Sequence, residues 1–410
     1  MSQSNPNVPT FQRSNVQTPF VESAYVSGME VSSTLAVLME AERLRAQGVD
    51  LVDLGAGEPD FPTPQEIKQA AERAIDENFT KYTSASGIAP LKKAIVEMLH
   101  RDFGAAYKPS QVIVTMGGKQ AIFNAMAALL NPGDDVLIAK PYWVTFPEIA
   151  KFLQTNPVYI ETEANEFALT ADAVLNSITP KSRLLILNSP SNPSGRVISP
   201  EEFKKIVEVA ADRGLWVISD ECYLQFAYPP ARPFTAGELP EDMKARVMIC
   251  GSFSKTYAMT GWRIGYGLGP EQWIQSMLKI QSHSTSNANS IAQKAAVEAA
   301  AGPQDSIAHM LEEYRRRRDW LIPALNEIEG IRCRMPEGAF YAFPDVRGLL
   351  KGPIKTTSEL SSLLLEKANL VVTAGSAFGA EGYIRISYAN SLENIQKAVG
   401  RIREVAQTLV

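Results

Sequence analysis

Residues 184–223 read LLILNSPSNPSGRVISPEEFKKIVEVAADRGLWVISDECY. Residues 184–187 and 216–218 are apolar without alternation, the pattern of strands buried on both faces of a mainly parallel sheet. Between them Phe203, Ile206, Val207 and Ala210 recur at helical spacing. Ser199-Pro200-Glu201-Glu202 predicts a capping box with proline in the first turn. Strand, helix and second strand make one unit of an open α/β sheet.

The same theme extends in both directions. Residues 112–114, 136–138 and 247–249 are further apolar runs, and Ile122, Ala125, Met126 and Leu129 form another helical stripe. Only about a dozen residues separate Cys250 from Trp262-Arg263-Ile264-Gly265, too few for a parallel crossover, so that strand is expected to run antiparallel. After residue 305 the style changes to a long charged helix over 311–325 and strand-like pieces at 340–343 and 383–387. The expected organisation is α/β. A large domain at 53–305 carries a mainly parallel sheet flanked by helices, and a smaller α+β domain at 306–410 is joined by residues 1–52.

A chain of 410 residues exceeds what one compact core holds. Forty Lys and Arg against 45 Asp and Glu give a net charge of -5, which offers no electrostatic attraction for nucleic acid or an anionic membrane. No run approaches the roughly 18 apolar residues of a spanning helix. Cys222, Cys250 and Cys333 form no C-x-x-C pair, and the three histidines share no spacing, so neither a metal site nor a disulfide framework is expected. A reducing cytoplasm suits this cysteine usage. Residues 1–19 are polar, lack the apolar centre of a secretory signal, and read as a loosely ordered arm. The cations at 315–318 read as a solvated helix face paired with acids such as Glu312.

In open α/β sheets, ligands sit beyond the carboxyl ends of the strands. After the run at 112 comes Gly117-Gly118-Lys119 and then a helix, a start that suits an anion. It fits neither a Walker loop nor a Rossmann fingerprint, and by itself it is equally a tight turn. Lys119 in a first helical turn opposes the helix dipole, so it either extends into solvent or faces a bound anion. Pro141-Tyr142-Trp143 offers a ring that packs in the core or stacks on a flat ligand. The other strand ends carry Asn188 to Gly195, Asp220-Glu221-Cys222-Tyr223, and Ser252-Phe253-Ser254-Lys255. Singly, Asp220 and Lys255 read as surface charges. Together, an amine, a carboxylate, an anion cradle, an aromatic face and hydroxyl or amide donors match the needs of pyridoxal 5'-phosphate.

With Ser252-Phe253-Ser254-Lys255 followed by Arg263, the chain resembles class I pyridoxal-phosphate aminotransferases of the aspartate aminotransferase family. Asn192-Pro193-x-Gly195, Asp220-x-x-Tyr223, Gly57-Glu58-Pro59-Asp60 and Arg385-Ile386-Ser387 fall in the family's order. The resemblance runs from about residue 30 to the end of the chain and implies the type I PLP-dependent transferase fold.

It makes Lys255 the Schiff-base lysine and proton shuttle, and Asp220 the partner of the ring nitrogen. Trp143 becomes the stacking ring, while Asn192 and Tyr223 hold the phenolic oxygen. Gly117, Gly118, Lys119, Ser252, Ser254 and Arg263 surround the phosphate, joined by Tyr82 from a neighbouring subunit, which implies a homodimer. Arg385, with Gly57, Trp143 and Asn192, grips the substrate α-carboxylate.

Gly-Gly-Lys at 117–119 is similar to a bacterial and plant subgroup in which that lysine recognises the distal carboxylate, with Thr34 in a loop that closes over the substrate. The partner-subunit arginine of the animal-type enzymes has no counterpart in the loop 283–287, and Glu30-Val31 stands where the subgroup has Lys-Pro. The implied activity is ping-pong transamination of L-aspartate with 2-oxoglutarate. Other amino donors or acceptors (prephenate, aromatic, alanine) and a lyase on the same fold stay open.

Overall fold

The apolar runs become strands buried on both faces. In the computed structural model, which describes residues 20–30, 39, 41–44 and 46–409, twelve strands are formed among the described residues. They are β1 (Val52–Asp53), β2 (Val112–Thr115), β3 (Asp135–Ala139), β4 (Asn156–Ile160), β5 (Ser182–Asn188), β6 (Trp216–Asp220), β7 (Val247–Ser252), β8 (Gly265–Leu268), β9 (Tyr341–Ala342), β10 (Leu370–Val371), β11 (Thr373–Ala374) and β12 (Ile384–Ser387). Seven of them form one sheet in the order β2-β8-β7-β6-β5-β3-β4. The pairs from β7 through β6, β5 and β3 to β4 are parallel, whereas β8 is antiparallel to both β2 and β7, as the short connection requires.

β4 has no counterpart among the continuous apolar runs. It is the edge strand, carries Pro157, and exposes its start while burying only Ile160. A strand with one covered side needs no unbroken apolar sequence.

The helical stripes become Gly118–Leu129 and Pro200–Asp212, each burying its apolar face on the sheet. The capping box is half formed. Ser199 Oγ accepts from the Glu202 N–H, but the Glu202 carboxylate turns away to accept from the Ala171 N–H at 2.7 Å. Glu202 therefore ties its helix to the start of the neighbouring helix Ala171–Ser177.

The charged helix is longer than its pattern, Asp305–Asn326. Its four arginines do not share one solvated face. Arg315 and Arg316 pair at the surface with Glu312 and Glu313. Arg317 and Arg318 are buried. Arg317 bonds Asp60 at 2.8 Å, and Arg318 donates to the Pro336 carbonyl while lying over the Tyr228 ring. At 100° per residue a run of four must point round most of the helix, and Arg317 and Arg318 fall on the inward stripe of Tyr314 and Leu321.

A second, antiparallel sheet, β11-β12-β9, and the parallel pair β1-β10 complete the strand set. Ser387 N–H donates to the Leu54 carbonyl at 2.7 Å, so the segment after β1 lies against β12. Residues 54–58 are thereby held between this sheet and the tips of the large one. Among the described residues no helix is long and apolar enough to cross a membrane, and no cluster of His, Cys, Asp or Glu could hold a metal ion. Residues 1–19 and Thr34 lie outside the described residues.

Candidate active site

Register brings the strand ends together. Asn188 pairs with Asp220, Asp220 with Cys250, and Ser252 with Gly265, which in turn pairs with Thr115. The residues that follow β2, β5, β6 and β7 therefore surround one crevice at the carboxyl edge of the sheet. The small sheet closes it with Tyr341 and Arg385, and residues 55–58 line a third side. The cavity measures about 440 Å³.

Of the residues singled out from sequence, Gly57, Gly118, Lys119, Trp143, Asn192, Asp220, Tyr223, Ser252, Ser254, Lys255, Arg263 and Arg385 all line this cavity. Gly117 does not. It caps the helix behind it at φ 83°, and a Cβ there would stand 2.6 Å from Arg263 Nη2. Its role is to let the Arg263 guanidinium approach. Tyr82 is 91% exposed and does not line the cavity of its own chain. Sequence reasoning missed Tyr341, read only as part of a strand-like piece, and Glu58, Thr260 and Asn188, which also line the cavity.

The Lys255 Nζ donates to the Gly57 carbonyl at 2.5 Å. Burial lowers its pKa, so the neutral amine a nucleophile needs is favoured. Asp220 is buried, and burial pushes its carboxyl up to about 7 against the opposing pull of the Cys222 N–H, which donates at 3.1 Å. Among the described residues no cation is paired with Asp220 in an ion pair. A pyridinium N–H would supply that missing partner.

The helix Gly118–Leu129 starts without a side-chain cap or an acid in its first turn. Ser252 and Ser254 stand beside it, with Ser252 Oγ accepting from the Ser254 N–H at 3.1 Å. Packing there is close: a Cβ on Gly265 would come within 2.5 Å of the Gly118 nitrogen. Free N–H groups, two hydroxyls and the Arg263 guanidinium form a cradle suited to a phosphate. These residues fit pyridoxal 5'-phosphate.

Arg385 is 2% exposed. Its Nη1 donates to Asn192 Oδ1 at 3.0 Å and its Nη2 to the Gly55 carbonyl at 2.6 Å, both neutral acceptors, and its Nε is buried without a partner. Lys119 places its Nζ 5.0 Å above the Trp143 ring, and burial, then Arg263, lowers its pKa. Besides the Lys255 amine, three cations, Lys119, Arg263 and Arg385, line the cavity against two acids, Glu58 and Asp220. Such an excess favours ligands carrying several negative charges.

A family model for aminotransferases of class I and II matches residues 49–402. The chain is 42% identical over 379 residues to an aspartate aminotransferase of Bacillus sp. (strain YM-2), covering 92% of this chain and 97% of that protein. It is 43% identical over 389 residues to an aspartate/prephenate aminotransferase of Nitrosomonas europaea, covering 93% and 98%. The crystal structure of the aspartate aminotransferase from Rhizobium meliloti superimposes with a TM-score of 0.91 at 41% identity, over 96% of this chain and 100% of that one. That of Thermus thermophilus, solved with maleate, gives 0.89 at 38%, over 94% and 100%. With its sheet order, buried lysine and carboxylate and this match over nearly its whole length, the chain belongs to the class I aminotransferases of the aspartate aminotransferase family, enzymes that use pyridoxal 5'-phosphate.

Proposed function

We propose that the chain transfers the amino group of L-aspartate to 2-oxoglutarate, giving oxaloacetate and L-glutamate in two alternating half-reactions. One observation carries the choice of substrate: Arg385 is buried, faces the cavity and has no carboxylate paired to it among the described residues, and Lys119 supplies a second cation to the same cavity. Two such cations suit a substrate with a carboxylate at each end. The names of the relatives point the same way.

The bound cofactor withdraws electrons from the substrate Cα through its protonated ring and so acidifies the C–H bond there. Asp220 would hold its charge against the ring nitrogen and keep the proton on it. Arg385 takes the α-carboxylate on its two Nη groups, with Asn192 fixing the plane of the guanidinium. Lys255 Nζ, favoured as a neutral amine by burial, takes the Cα proton and gives it up later in the same half-reaction. With the cofactor held there, Tyr223 would donate to its phenolic oxygen, and Trp143 would cover the ring and exclude water.

The reading includes a homodimer with shared active sites, in which Tyr82, exposed on its own chain, serves the phosphate of a second copy. It also includes a cytoplasmic setting, consistent with three free cysteines.

The test is the visible spectrum of the purified protein with L-aspartate and no keto acid. A yellow band that aspartate converts to the near-ultraviolet amine form of the cofactor is the expected result. A band that aspartate leaves unchanged removes the substrate assignment, and decomposition of aspartate with no keto acid required would make the enzyme a lyase. Lys119→Ala is expected to raise the KM for aspartate by about 10-fold or more, with little change for alanine, since one charge-assisted hydrogen bond is worth about 1.5–3 kcal/mol. Steady-state kinetics with both donors checks this, and an equal rise for both would reassign Lys119 to the cofactor.

A further inference from the structure

We propose that Tyr341 is a positioning residue that couples occupation of the Arg385 carboxylate site to the hydrogen bond Tyr223 gives the cofactor's phenolic oxygen. The inference rests on the reading above. Tyr341, on β9, is fully buried, and its hydroxyl lies 2.7 Å from that of Tyr223. Its ring lies 4.6 Å from the Arg385 guanidinium carbon. The same hydroxyl faces Gly57: a Cβ there would come within 2.8 Å of it and 3.8 Å of Arg385 Nη1. One O–H therefore touches the residue assigned to the cofactor and stands beside the guanidinium assigned to the substrate.

A chain of two phenols has a direction. Burial raises Tyr223 well above its ordinary value and raises Tyr341 as well, so each carries one proton and can donate once. If Tyr223 donates to the cofactor, Tyr341 must donate to Tyr223. That donation polarises Tyr223 and strengthens it as a donor. A carboxylate on Arg385 offers Tyr341 a charged acceptor, which outcompetes a neutral phenol. Once Tyr341 turns to it, Tyr223 loses its support and the phenolic oxygen keeps more negative charge.

The charged and titratable groups facing the two phenols are Cys222 and Arg385, with Glu58, Arg263 and Arg385 around Lys255. Cys222 is pushed up to about 12, chiefly by burial, and stays a neutral thiol. Asn192 also meets both sites, through Arg385 Nη1, but its amide oxygen only accepts there, whereas the Tyr341 hydroxyl can turn its proton from one acceptor to another without changing charge.

More negative charge on the phenolic oxygen favours a proton on the adjacent lysine–cofactor link, whose protonation is visible as the yellow band. The experiment titrates that band in the holoenzyme with and without maleate, a dicarboxylate lacking an amine, in wild type, Tyr341→Phe, Tyr223→Phe and the double variant. Maleate is expected to raise the wild-type midpoint. Tyr341→Phe should raise the maleate-free midpoint by about half a pH unit and shrink the maleate-induced rise by about half, within the worth of one hydrogen bond. Tyr223→Phe breaks the same link from its other end and should shrink the maleate-induced rise equally. In the Tyr223→Phe background, removing the Tyr341 hydroxyl should add nothing.

A full maleate-induced rise in Tyr341→Phe overturns the proposal. So does the same upward shift from Tyr341→Phe with and without Tyr223, which marks a purely structural effect, or a wild-type midpoint that maleate does not move. Failure of the underlying reading is separate: it shows in the wild type alone, as no yellow band or a band indifferent to aspartate.

Discussion

Lys255→Ala is expected to abolish the yellow band and to lower kcat by about 10⁴-fold or more, because one substitution removes both the covalent anchor and the proton carrier. The amine has no understudy. Lys119 is the other lysine lining the cavity, and its Nζ is engaged over the Trp143 ring. Absorbance of the purified variant with added cofactor, together with its turnover of aspartate and 2-oxoglutarate, checks the expectation. Turnover near that of the wild type would end the mechanism. The fold should survive, since among the described residues Nζ makes one hydrogen bond, to the Gly57 carbonyl.

Asp220→Asn is the second large effect, a fall in kcat of about 10²–10³-fold, the scale for removing one preorganised electrostatic group. The amide is isosteric and can still accept from the Cys222 N–H, so the loss is one of charge. The substitution also has a signature in the cofactor-free protein. Burial raises the Asp220 pKa to about 7 in the folded state from 3.8 when exposed. The folded state therefore holds this proton more tightly than the unfolded chain does. Below about pH 4 both states are protonated and burial of the carboxyl carries no charge penalty. Between about pH 4 and 7 the unfolded chain releases a proton that the folded state keeps, so stability falls across that window and is fully lost once pH passes the folded value near 7. A pyridinium partner cancels that loss. The rise in Tm on adding cofactor is expected to be larger at pH 8 than at pH 6 in the wild type, and the difference should shrink in Asp220→Asn. Thermal unfolding of both proteins at the two pH values decides it, and an identical pH dependence would mean that Asp220 does not face the ring.

Much of this arrangement was readable from the residues because the physics at those positions is local. An unbroken apolar run leaves a strand nowhere to go but the middle of a sheet, so β2, β3, β5, β6 and β7 announce themselves. The short link before Gly265 leaves only an antiparallel partner for β8. β4 stayed hidden because an edge strand tolerates Pro157 and exposed positions.

The cation run at 315–318 misled because charge was weighed without periodicity. Tyr314, Arg317, Arg318 and Leu321 stand at i, i+3, i+4 and i+7, and this stripe marks the two inward arginines. In the site, residues at the ends of large-sheet strands were legible together, since each follows an apolar run. Tyr341 was not, because its hydroxyl finds Tyr223 only through the packing of one sheet against another, at a separation of 118 residues.

That separation has a consequence for how the molecule comes into being. Apart from Tyr82, which serves a second copy, the groups assigned to the cofactor lie between Gly117 and Arg263, whereas the bond from Arg385 to the Gly55 carbonyl spans 330 residues. Closing so long a loop carries an entropic cost and waits on the packing of everything between. A chain emerging from the ribosome presents its lysine and aspartate well before its substrate arginine, and domains fold from the N-terminal side as they emerge. The strand that carries Arg385 is the last of the described strands to be made, so its guanidinium joins the crevice after every large-sheet residue that lines it has been synthesised.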